Sequence, residues 1–164
     1  MTGRTPLPAL SALLAAAALS VAACGTEVES GPTAGTTNTA PPELLAIEQT
    51  DREPIADELK LWVSNQSFDD DPVRITISID GAVAVDDRFP VEDQHHWVGY
   101  LLADLPPGDH TVSVVSETGA EFSTDITLIE DRPLWLVVEY WFDDQEATGR
   151  FFTVKRSDEP VGFA

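Results

Sequence analysis

The chain has 164 residues, 29 of them acidic and 9 basic, for a formal net charge of -20. A length of this order holds one domain and a tether, and so acidic a surface repels nucleic acid and anionic lipid headgroups. A single cysteine excludes an internal disulfide framework and a cysteine-based metal cluster.

At the amino terminus Arg4 precedes an apolar stretch, Ala9 to Ala23, that ends in Val21, Ala22 and Ala23 directly before Cys24. A positive start, an apolar middle and a small-residue end are the three parts of a secretory signal. The stretch falls short of the roughly 18–20 apolar residues that a membrane-spanning helix needs. The run Val21-Ala22-Ala23-Cys24 resembles the lipobox of bacterial lipoproteins. That resemblance implies a signal peptide over residues 1–23, removed on export. It also implies a diacylglycerol on the Cys24 thiol, and a protein held at the outer, extracytoplasmic face of the cell membrane. Two acyl chains anchor stably where one binds marginally.

Residues 24–57 read as the lipidated cysteine and a flexible linker. The stretch from Gly31 to Pro42 is rich in Thr, Pro and Gly and carries almost no large apolar residue. It cannot bury enough surface to offset the entropy of ordering. Glu43-Leu44-Leu45-Ala46-Ile47 is a short apolar patch, either one helical turn or an early strand docking on the domain.

From Glu58 the pattern changes to period two. Leu59, Leu61 and Val63 alternate with Lys60, Trp62 and Ser64; Val73, Ile75, Ile77 and Ile79 alternate with Arg74, Thr76 and Ser78. Phe122, Thr124, Ile126 and Leu128 alternate with Ser123, Asp125 and Thr127. Alternation of this kind predicts strands with one buried face. Further strands are predicted at about 82–88, 95–103, 110–116, 133–142 and 150–156. Asp80-Gly81 is a hairpin signal, and Leu105-Pro106-Pro107-Gly108 a sharp connection. The expected fold is an all-β, antiparallel, immunoglobulin-like β-sandwich of about 7–8 strands over residues 58–156, with a tail over 157–164. The stretch Pro107-Gly108-Asp109-His110 also resembles the strand start of immunoglobulin-like and carboxypeptidase-regulatory-like bacterial surface domains.

The strand around Leu134–Phe142 is apolar on both faces except at Glu139. Its second face carries Trp135, Val137 and Trp141. Either the segment Pro160–Phe163 or the 43–47 patch folds over it, or Trp135 and Trp141 form an exposed platform for a partner protein or a glycan.

The sequence holds no nucleophile elbow, zinc-protease helix, phosphate loop or dinucleotide fingerprint. His95 and His96 are adjacent, so a regular strand sends them to opposite faces, and His110 is expected on a turn at the other end. The carboxylates follow a topological pattern. If each strand reverses direction, alternate loops share one end of the domain. That end collects Asp69, Asp70 and Asp71, then Glu92 and Asp93, then Glu117 and Glu121, then Asp143 and Asp144. Carboxylates gathered this way are candidate calcium ligands, although solvated acidic loop tips are common. The resulting expectation is a membrane-anchored, non-enzymatic binding or structural module without a resident cofactor. The alternatives are a calcium- or carbohydrate-binding sandwich and an accessory subunit of an envelope enzyme or transporter.

Overall fold

The computed structural model describes residues 43–92, 96–144 and 149–163. Cys24, the signal and most of the expected linker lie outside these residues, as do Asp93 and His95. The described residues form nine strands: β1 (Glu48–Gln49), β2 (Leu59–Asn65), β3 (Val73–Ile79), β4 (Ala82–Phe89), β5 (Val98–Leu102), β6 (Gly108–Ser116), β7 (Glu121–Leu128), β8 (Leu134–Phe142) and β9 (Arg150–Ser157). Strands β2 to β9 match the alternating runs, and β1 is additional.

The strands make a two-sheet sandwich. Sheet I has the order β4-β3-β6-β7 and sheet II the order β1-β5-β2-β8-β9. All neighbours are antiparallel except β2 and β8, which lie side by side in parallel. From β2 onward the chain reverses at every successive strand. An even number of reversals separates β2 from β8, so they point the same way.

The residues read as inward build the core. Leu59, Leu61 and Val63 of β2 meet Val73, Ile75, Ile77 and Ile79 of β3 in one buried cluster, with Leu136, Val138 and Tyr140 of β8. Each such aliphatic side chain contributes about 1.5–3 kcal/mol when fully buried. The Asp80–Gly81 hairpin forms as expected, with Ile79 opposite Ala82. Both turn residues have positive φ (52° and 83°), the conformation a two-residue hairpin requires.

The two outer faces differ. Sheet I turns a polar face to solvent, laced by Arg74–Asp86, Arg88–Glu117 and Thr111–Asp125 bonds. Sheet II has both faces covered, and all seven residues of β2 are buried.

The folded unit starts earlier than the alternation implied, which corrects the expected linker boundary at 57. Leu45 N donates to Val83 O, and Val83 N donates to Glu43 O, so the chain docks on the free edge of β4 from Glu43 onward. Leu45 and Ile47 pack against the core, and β1 then pairs with β5. The dock lies beside the Asp80–Gly81 turn, at the end of the sandwich opposite the acidic loops.

Candidate functional site: the covered face of sheet II

Register brings the outward residues of β2 and β8 together. Lys60 pairs with Trp135 and Trp62 with Val137. Two chain segments from opposite ends of the sequence cover this face.

Residues 50–54 cross its lower half. Lys60 is fully buried at 0% exposure. Its Nζ donates to the carbonyls of Thr50 and Arg52 and lies 4.3 Å from the centroid of the Trp62 ring. Burial pushes the Lys60 pKa below the ordinary lysine value, and nearby Asp51 and Glu53 only partly offset this. Trp135 Nε1 donates to Glu53 Oε2 at 3.1 Å. The Arg52 guanidinium clamps Glu58 with two bonds of 3.0 and 2.8 Å.

The carboxy-terminal segment covers the upper half. Val161 packs on the Trp62–Trp135–Val137 cluster. The Phe163 ring stacks on Trp97 (centroids 4.1 Å apart, 17° between planes) and meets Trp62 edge-on at 5.3 Å. Aromatic pairs in these geometries add about 0.5–1.5 kcal/mol beyond area burial.

The expectation of an exposed Trp135–Trp141 platform is therefore corrected. Trp135 is only 4% exposed, because Glu53 and the carboxy-terminal segment roof it. Trp141 is half-buried. The 43–47 patch, the other candidate cover, lies instead on the edge of sheet I. The indole N–H groups of Trp62 and Trp141 are buried and have no hydrogen-bond partner among the described residues.

Between the carboxy-terminal segment and strands β8 and β9 lies a cleft of about 420 Å³. Trp97 and Phe163 supply an aromatic wall, and Val137 and Glu139 part of the sheet face. Glu139 accepts from Thr153 Oγ1 at 2.6 Å and from Lys155 Nζ at 2.9 Å. Glu159 also lines the cleft. The Arg156 side chain belongs to the other face of β9, opposite core residue Leu136, and borders a second cavity with Thr124, Asp125 and Ile126. Among the described residues Arg156 has no ion-pair partner.

The acidic loops do share one end. Val91 N donates to Asp71 Oδ1 at 3.0 Å, Asn65 Nδ2 bridges the carbonyls of Asp70 and Phe89, and Tyr140 Oη meets both Asp70 and Thr118. Their carboxylates nevertheless serve different partners. Arg150 binds Asp70 through Nε and Nη2 at 2.7 and 2.9 Å. These bonds, against the opposing effect of burial, hold the Asp70 carboxyl below its ordinary range. Arg88 grips Glu117, Glu92 faces His96 at 3.1 Å, and Asp69 and Glu121 are exposed. Asp143 and Asp144 have partners of their own.

No three His, Cys, Asp or Glu side chains converge as a metal site among the described residues. The expected calcium set Asp69, Asp70, Asp71, Glu92, Asp143 and Asp144 is thus corrected, and Asp93 lies outside the described residues. Arginines and main-chain amides draw the carboxylates apart.

Sequence reasoning missed Trp97, Phe163 and Lys155 as a group. One signal was available: Lys155-Arg156 is the only pair of adjacent basic residues in an acidic chain. It also misplaced His110, which is buried within β6. No family model and no curated protein sequence matches the chain.

Proposed function

We propose that this chain is a lipid-anchored extracytoplasmic lipoprotein whose β-sandwich acts as a non-enzymatic binding module. The cleft on sheet II carries the binding half of the reading. It is concave, walled by aromatic rings and furnished with a few polar groups, the make-up of small-ligand sites, and its volume falls in their usual range of about 300–1,000 Å³. The anchoring half rests on Val21-Ala22-Ala23-Cys24 and on the separation of Cys24 from the folded unit by residues 25–42. The stretch from Gly31 to Pro42 has the composition of a linker. The chain reaches the sandwich at the end opposite the acidic loops, so a tethered domain would turn those loops outward.

Expression in a bacterium fed labelled palmitate tests the anchor. The wild-type chain takes up label and partitions into detergent, and Cys24→Ser abolishes both. An unlabelled, water-soluble wild-type product would refute the anchored reading.

A further inference from the structure

We infer that the cleft between β8, β9 and the carboxy-terminal segment is a binding site for a neutral saccharide, an inference that deepens the binding-module reading above and rests on it. Three observations select this class of ligand.

The first is charge balance. At the cleft floor Glu139 and Lys155 form an ion pair at 2.9 Å, so their charges cancel. The rest of the surface is strongly negative and opposes the approach of an anion. A cation would meet Lys155. A neutral ligand pays neither penalty.

The second is the mixture of donors and acceptors. Carboxylates only accept and Lys only donates, and Glu139 and Lys155 each keep capacity beyond the bond between them. A ligand satisfied by all of them must carry groups that both donate and accept at close spacing. Hydroxyls on neighbouring carbons of a sugar ring have this property. A purely apolar ligand would strip water from these groups and add no hydrogen bond in its place.

The third is the wall. Trp97 and Phe163 are stacked on each other and both line the cleft. Aromatic surface beside polar groups suits a ring with one apolar C–H face and a polar rim. The floor adds Val137, which is apolar, beside Glu139, which is buried and already oriented by Thr153 and Lys155. An acceptor held in place by two donors loses little freedom when a ligand hydroxyl joins it.

The site is composite. Phe163 arrives on the carboxy-terminal segment, which makes no main-chain hydrogen bond to the sheet among the described residues. Its ring and the Val161 side chain tie it to sheet II, so the contact that closes the aromatic cover also builds one side of the cleft.

The test uses the full chain in detergent. It is applied to an array of neutral and uronic-acid-bearing glycans, and the strongest neutral glycan is then titrated by calorimetry. The wild-type protein binds at least one neutral glycan saturably, and more tightly than acidic glycans of the same length. Lys155→Ala weakens binding about tenfold or more, the effect of losing one charge-assisted hydrogen bond. Lys155 is exposed and an ion pair there adds about 1 kcal/mol or less, so the melting temperature stays near that of the wild type. Trp97→Ala and Phe163→Ala remove the wall and abolish binding. Absence of binding to every neutral glycan overturns the inference, as does preference for acidic glycans. So does wild-type affinity in both Lys155→Ala and Phe163→Ala. Palmitate labelling at Cys24 is read separately, so loss of glycan binding with labelling intact would refute the ligand class and leave the anchor standing.

Discussion

The Asp80 carboxylate accepts a hydrogen bond from His110 Nδ1 at 2.6 Å, while His110 Nε2 donates to the Pro106 carbonyl at 2.7 Å. Both partners are acceptors, so the buried ring is held as an imidazolium that ties the β3–β4 turn to the start of β6. Thr111 N adds a bond to the other Asp80 oxygen at 2.9 Å.

This clasp predicts a pH dependence of stability. Burial alone would lower the His110 pKa, but Asp80 and the Pro106 carbonyl outweigh it and raise the value above 6.5. The stabilisation from His110 is therefore complete below that value and is lost as pH rises through the higher folded value. Asp80 is held below its ordinary 3.8, chiefly by the His110 bond. Its share is complete above that value and is lost as pH falls through the folded value. Urea unfolding across pH should show both limbs, and His110→Gln should remove the alkaline one. An unchanged alkaline limb in His110→Gln would show that another group titrates.

Gly99 permits the close approach of residues 50–54. A Cβ built there would lie 2.6 Å from the Thr50 carbonyl oxygen and 2.8 Å from both Lys60 Nζ and Trp62 Cζ3. Main chain on one side and buried side chains on the other leave no room to yield. Gly99→Ala should cost about 1–3 kcal/mol, the range for overpacking. Chemical denaturation measures it, and a neutral result would mean that the 50–54 segment moves aside freely.

Ile77 and Thr76 test the register of β3. Ile77 is fully buried in the core, and Ile77→Asp should abolish cooperative folding because an unpaired charge cannot be accommodated there. Thr76 faces outward and bonds Asp86 at 3.0 Å. Thr76→Asp sets like charges opposite each other and should cost about 1 kcal/mol or less. Equal losses in thermal melts would show the register to be different.

Asp70 gathers Arg150 and Tyr140 at the acidic end. Asp70→Ala leaves the Tyr140 hydroxyl without this acceptor and Arg150 without its counter-charge, and should cost about 1–3 kcal/mol. The Asp70 contribution is full above pH 3.8 and fades as pH falls through the depressed folded value. The variant should therefore lose less stability than the wild type on acidification. Parallel losses would mean that Asp70 does not carry the acid sensitivity.

Truncation separates the tether from the fold. A chain starting at Glu43 should unfold cooperatively, as the wild type does. A chain starting at Glu58 loses the edge bonds to Val83, the β1–β5 pairing and the roof over Lys60 and Trp135. It should show lower thermal stability and brighter binding of a hydrophobic dye. Equal melts for the two chains would contradict the structural role of residues 43–57.

Much of the strand pattern was legible because β3 and β6 each put one face in water, and period-two alternation then marks the buried side. The same rule misjudged Lys60. Its place between Leu59 and Leu61 correctly put it on the outward face, but that face is roofed, so a residue read as solvent-facing is fully buried. The acidic end was legible from strand parity, since each connection reverses the chain. The orientation of its carboxylates was not. Whether Asp70 turns toward Asp71 or toward Arg150 depends on an arginine brought in from β9, beyond the reach of any local pattern.

The amino-acid sequence by itself determined the class of fold, the Asp80–Gly81 hairpin and the inward register of the core strands. These follow from the pleat of a strand and the allowed φ of a turn, which act over a few neighbouring residues. Only the tertiary structure decided that Trp135 is covered and that Trp97, Phe163, Glu139 and Lys155 share one cleft. Those contacts join segments far apart in the chain, as the bond between Glu53 and Trp135 does. Such meetings depend on which surface remains unburied once the sheets have formed, a property of the assembled sandwich and of no single strand.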